Sequence, residues 1–359
     1  MNLATTHAPA SVTGVSSPGI VLRELTSVYR GQWDEFVAAC PDATFFHLAG
    51  WQEVIEKAFR HRTYYLFAER NGRIAGVLPL VHMKSRLFGN ALISTPFCVY
   101  GGIATQDSEV FSALESAACT LARELKVDYL EMRNREARHA GWPTKELYVT
   151  FRKQIDPEPE KNLQAIPRKQ RAMVRKGIKA GLKSEFDIST DRFYAVFSQS
   201  VHNLGTPVFS RRYFEMLLRV FSGSCDILTV THEGDLVSSV MNFYFRDEVL
   251  PYYGGGTPLA RELKGNDFMY WELMRYSCER GLRVFDYGRS KQGTGSYSFK
   301  KNWGFEPAAL HYQYYLVKAH KIPDISPMNP KFRLFVNAWK RLPLPLTQMI
   351  GPLIVRNVG

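Results

Sequence analysis

Apolar and polar positions alternate through two stretches of the chain, and each alternation is interrupted once by a turn dipeptide. The first stretch is YYLFAERNGRIAGVLPLVHMKS (64–85), centred on Asn71-Gly72; the second is DILTVTHEGDLVSSVMNFYFRD (226–247), centred on Gly234-Asp235. Period-two alternation on both sides of a Gly-containing dipeptide predicts a β-hairpin in each. The first hairpin is followed by FCVYGG (97–102) and LESAACTLARELKVDYLEMRN (114–134), the second by LPYYGGG (250–256) and WELMRYSCERGLRVFDYGRS (271–290). Each pair reads as a strand ending at Tyr-Gly-Gly, an amphipathic helix and a further strand. Equivalent positions lie 153 to 162 residues apart, so four elements recur in one order at a nearly constant offset. The expectation is a duplicated unit, each copy built on a mixed sheet of meandering strands closed by a helix and a returning strand.

Helical patterns precede each copy: 33–40 and 47–59 before the first, 191–205 and 210–221 before the second. Ser210 is a natural N-cap and Gly205 a natural C-terminal stop. The predicted organisation is a disordered leader over 1–19, units over 20–150 and 151–320, and a tail over 321–359 whose helix is broken by Pro343 and Pro345. The leader has neither a basic start nor an apolar core, which argues against a signal peptide. No run of 18 apolar residues offers a membrane span.

An apolar content of 45% is enough for a sizeable core, and 359 residues allow two units of ordinary size. The five cysteines, Cys40, Cys98, Cys119, Cys225 and Cys278, are scattered and form no CxxC pair, which points to reduced thiols, a cytoplasmic location and no structural zinc. The net charge of +12 favours an anionic partner: a phosphate-bearing precursor, tRNA or an anionic membrane surface. Part of this charge is concentrated. KNLQAIPRKQRAMVRKGIKAGLK (161–183) holds eight basic residues and no acidic one. Pro167 suits the first helical position and Gly181 a stop. At about 100° per residue, Arg168, Lys169, Arg175, Lys176 and Lys179 fall within an arc of about 120°, with Val174 and Ile178 opposite. A one-faced basic helix suits phosphates better than bases, and no DNA partner is expected; a plain solvated face is the competing reading.

The stretch FDYGRSKQGTGSYSFKKNWGFEP (285–307) invites a nucleotide-loop reading and does not satisfy it. Gly288 and Gly293 have phosphate-loop spacing, but Thr294 stands where the lysine belongs, and Gly293-Thr294-Gly295 lacks a third glycine. Neither a Gly-x-Ser-x-Gly elbow nor a His-Glu-x-x-His pair is present. The nine histidines are scattered; His47, beside Phe46 at a helix start, is a weak site candidate.

In this stretch a strand ending near Asp286-Tyr287-Gly288, a loop, and Phe299-Lys300 shortly before Trp303-Gly304 resemble the FemAB family of peptidyltransferases. The resemblance covers about 20–318, and is nearer still to the FemAB-like proteins found with PEP-CTERM/exosortase and exopolysaccharide systems, including IPRKQRAMVRKG (166–177) and the Pro-broken tail. It implies an α+β fold of two tandem GNAT-like domains. It also implies transfer of an aminoacyl or acyl group to an amine of an envelope or exopolysaccharide precursor, with no bound cofactor and with aminoacyl-tRNA or acyl-CoA as co-substrate. Two family features are missing: a long helical arm in the second domain, and the Arg/Gln-Gly-x-Gly turn of acetyl-CoA enzymes, replaced by ARELKGNDF (260–268).

Acyl transfer needs an uncharged amine, aligned substrates and a stabilised oxyanion. Lys300 suits the last role, with Phe299 and Trp303 drying the site and Arg289 available to bind substrate. Tyr253, Gly254 and Gly255 end a strand where a bulge could expose a backbone N–H and a phenol could meet substrate; a buried sheet tyrosine is the equal alternative. Asp286 and Glu272 are the carboxylates best placed as base or orienter, and Asp267 reads as a helix-start partner. A FemAB-like scaffold that only binds a precursor or a protein is the alternative to an enzyme.

Overall fold

The structure, a computed structural model, describes residues 19–85, 88–322 and 330–358; the expected leader lies outside the described residues except for Gly19. Two seven-stranded sheets are present among them. The first begins with Ile20–Glu24, Arg62–Arg70, Arg73–Ser85, Gly89–Ser94 and Tyr129–Asn134, hydrogen-bonded in that order; the second contains Lys183–Asp187, Cys225–His232, Asp235–Phe245, Glu248–Gly256 and Val284–Lys291, also in order. All these neighbours are antiparallel except the last pair of each sheet, which is parallel. The duplication expected from the repeat is therefore present in strand order and in strand direction.

Chain breaks fall where the local chemistry sets them. Asn71 and Gly72 both adopt positive φ in a two-residue hairpin turn. In the second hairpin the turn residues are Glu233 and Gly234, one position earlier than expected. The Ser210 hydroxyl accepts from the Tyr213 N–H and caps helix Arg211–Val220. Gly205 follows helix Asp191–Leu204 at φ +79°, a conformation that suits glycine. FCVYGG (97–102) is not a strand, contrary to expectation. Thr95 and Phe97 sit at positive φ, and the strand equivalent to Glu248–Gly256 is Gly89–Ser94 upstream.

The two copies exchange their closing strands. Tyr148–Gln154 crosses to pair antiparallel with Val284–Lys291, and His311–Leu316 returns to pair with Tyr129–Asn134. The expected boundary at 150/151 thus falls inside a strand of the second sheet. A shared aromatic core joins the copies: Phe45 stacks on Phe243 at 4.4 Å and meets Phe221 at 4.7 Å. In the tail, helices Pro330–Trp339 and Leu344–Val355 are separated at Pro343, and Trp339 is buried.

Candidate active site

Strands Glu248–Gly256 and Val284–Lys291 pair only at Glu248–Val284 and Val249–Phe285, then part. Across the neighbouring strand the register jumps from Pro251 to Tyr253, leaving Tyr252 as a bulge. Pro251 has no N–H for a central ladder, and the bulge beside it absorbs the missing donor. In the first sheet Gly89–Ser94 and Tyr129–Asn134 likewise pair only through Ile93–Glu131. Where the strands part, a cavity of about 560 Å³ opens between the copies. Tyr253, Gly254, Gly288, Arg289 and Lys300 line it from one side, and Glu131 and Arg133 from the other.

Lys300 lies on helix Gly295–Asn302. The segment expected to be a loop is therefore a strand running to Lys291, a short turn and a helix capped by the Thr294 hydroxyl. Lys300 Nζ donates to the carbonyls of Tyr287 (2.6 Å), Gly288 (3.1 Å) and Arg289 (3.1 Å). Burial pulls its pKa down to about 7; nearby Asp286 opposes this shift and Arg289 adds to it. Lys301 is exposed.

Phe299 and Trp303 stand behind the lysine, not on the cavity wall. Phe299 packs on Tyr270 and Trp303, and the buried Trp303 indole donates to Asp267 at 3.0 Å. Asp267 also accepts from the Gln170 side chain, so it ties the basic helix to this support. Tyr253 reaches the cavity, and its phenol is hydrogen-bonded to Tyr213 at 2.9 Å. Gly254 faces the cavity, whereas a Cβ on Gly255 would strike Ser200 on the opposite face, as strand alternation requires. Asp286 is fully buried behind the cavity. It accepts from Tyr100 (2.8 Å) and the Gly288 N–H (2.7 Å) and pairs with Arg152 at 3.2 Å; burial pushes its carboxyl up. Its position fits an orienter of the Tyr287–Arg289 strand, not a base in contact with substrate. Glu272 is engaged by Arg275 and Ser184. His47 is locked between Thr44 and the Gly102 carbonyl, with burial lowering its pKa to about 4.

The basic helix Arg168–Lys179 borders a separate surface hollow of about 330 Å³, lined by Arg168, Arg171, Arg175, Lys176 and Lys179. Arg171 joins this set and Lys169 does not; of the two residues expected opposite the basic arc, Val174 is buried and Ile178 is exposed. Sequence reasoning missed Glu131, Arg133, Tyr148 and Tyr312, all on the cavity wall. The repeat holds a signal for Arg133, which stands 156 residues before Arg289 in the equivalent strand. Among the described residues no cluster of His, Cys, Asp or Glu could hold a metal ion, and no helix is long and apolar enough to cross a membrane.

Residues 168–301 match the family model described as an acetyltransferase (GNAT) domain. No curated protein matches the sequence. Among solved structures, FemX is similar with a TM-score of 0.66 at 16% identity, covering 88% of this chain and 100% of FemX. The C-terminal (DUF2156) domain of a candidate lysylphosphatidylglycerol synthetase from Agrobacterium fabrum gives 0.54 at 14% identity, over 80% of this chain and 92% of its own. A tandem GNAT protein from the clavulanic acid biosynthesis pathway gives 0.53 at 14% identity, over 84% and 100%. At such identities the likeness speaks for the fold, and that fold is the tandem GNAT-like α+β architecture.

Proposed function

We propose that the protein transfers an acyl or aminoacyl group from an activated donor to an amine. One observation carries this reading: the Lys300 amine lies at the cavity wall where the parallel strands part, beside the Tyr252 bulge, with aromatics fixed behind it. The acceptor nitrogen attacks the donor carbonyl carbon and the C–N bond forms. The bond to the donor's leaving oxygen or sulfur then breaks, and the amine proton leaves with that group. Lys300 gives up one of its two 3.1 Å carbonyl bonds to meet the oxyanion between these steps. The finer reading is that the acceptor is an anionic envelope or exopolysaccharide precursor, and that aminoacyl-tRNA or acyl-CoA is the donor. The net charge and the basic hollow support it, as does the resemblance at Phe299-Lys300 and Trp303-Gly304. The same charge supports peripheral contact with an anionic membrane.

The test is mass spectrometry of reactions containing the purified chain, charged tRNA or acyl-CoA pools, and nucleotide-sugar amines. A new amide whose formation depends on Lys300 is expected. A folded chain that makes no amide with either donor class would sink the transferase reading and leave a binding scaffold.

A further inference from the structure

Arg133 and Arg289 occupy equivalent positions in the two copies, and both face the same cavity. Their surroundings differ in one respect. Arg133 is paired inside its own strand: Nε donates to the Glu131 carboxylate at 2.7 Å, and a terminal nitrogen to the Cys98 carbonyl at 2.8 Å. In the second copy the position of Glu131 is taken by Tyr287, and no carboxylate among the described residues pairs with Arg289. Among the described residues its guanidinium makes one hydrogen bond, from a terminal nitrogen to the Tyr312 phenol at 3.1 Å. The guanidinium lies over the Tyr148 ring at 4.6 Å and the Tyr312 ring at 5.7 Å. Tyr312 is itself held by donating to the Val99 carbonyl at 2.6 Å.

A guanidinium carries five N–H donors and stays charged at any working pH. Holding one in a cavity without a counterion is unfavourable unless something supplies the charge. We infer that Arg289 is the recognition point for a carboxylate on one of the substrates, received in the slot beside Tyr148 and Tyr312. The first copy shows the geometry in miniature, with Glu131 in the role that the ligand takes in the second. The planar fork matches a carboxylate edge to edge, and flanking rings suit a flat partner better than a tetrahedral one. This rests on the transferase reading only for calling the ligand a substrate.

The test uses the full chain and three probes: N-acetylglycine, its neutral amide N-acetylglycinamide, and inorganic phosphate, with binding read by saturation-transfer NMR. The acid is expected to bind roughly tenfold more tightly than the amide, the size of one good charged hydrogen-bonded pair. Arg289→Gln should erase that preference while leaving the melting curve in place. Tyr312→Phe, which keeps the charge and removes only the orienting phenol, should weaken the preference without abolishing it, and it serves if the Gln variant misfolds. Equal binding of acid and amide by the unmodified chain, or a preference that survives Arg289→Gln, overturns the site. Tighter binding of phosphate than of the acid overturns its assignment to carboxylates. A chain that selects the acid but forms no amide with any donor keeps this site and loses the transferase reading; a chain that transfers without selecting the acid does the reverse.

Discussion

The two copies share five strands in one order, yet they are not equally equipped. In the first, the equivalent arginine is neutralised by Glu131 and the strand ends in a segment that carries no helix like Gly295–Asn302. In the second, Arg289 has no carboxylate partner among the described residues, and Lys300, carried by helix Gly295–Asn302, is held against three carbonyls of strand Val284–Lys291. The difference is one of charge balance. A copy whose buried cation is satisfied internally makes a stable wall, while the proposed function assigns the site to the copy whose arginine has no such partner. The exchanged strands then make the two share one cavity, since Tyr148 lines it from the second sheet and Tyr312 from the first, each on a strand that has crossed over from the other half.

The comparison is sharpest at the two arginines. Arg133→Gln strands a buried carboxylate and should cost about 3–5 kcal/mol in chemical denaturation, whereas Arg289→Gln strands none and should cost far less. Equal losses would break the contrast between wall and site. Next in size is the pH effect. The pKa of Lys300 is lowered to about 7, so its charge is present below that pH and lost as pH rises through it. Transfer that needs the cation should therefore fall up to tenfold per pH unit above about 7, as the rule for a single ionisation requires. With Lys300→Arg that limb should move out of the measurable range; if it stays, Lys300 is not its source. A smaller effect concerns how the tail is fastened. Gly205 is at φ +79° with Val336 packed where a side chain would go, so Gly205→Ala should cost about 1–2 kcal/mol of thermal stability. The smallest is at the basic hollow: Arg175→Ala should change stability by no more than about 0.5 kcal/mol while weakening salt-sensitive binding to anionic vesicles.

Local chemistry made much of this legible. The Asn71-Gly72 turn, the Ser210 cap and the Gly205 stop are each decided within a few residues, and the repeat offset carried the strand order. The strand exchange was not legible, because the pairing of Tyr148–Gln154 with Val284–Lys291 spans more than a hundred residues and leaves no local mark. Residues 292–298 looked like a loop because Gly293, Gly295 and two serines favour turns, yet the Thr294 cap and the packing of Phe299 and Trp303 impose a helix. Glu131 and Arg133 passed as ordinary strand residues; only the opposed copy shows them facing Arg289. Asp286 reads from the sequence as a base or orienter, and its burial behind the strand was invisible without the fold.

The central claim, that the chemistry belongs to the second copy, is tested most directly by single-turnover amide formation in Lys300→Ala, with the folded fraction measured on the same sample. The account predicts a rate about 10² to 10³ lower, the loss seen when one oxyanion donor is removed, with an unchanged melting temperature. A Lys300→Ala protein that is fully folded and forms amide at the unmodified rate would contradict it.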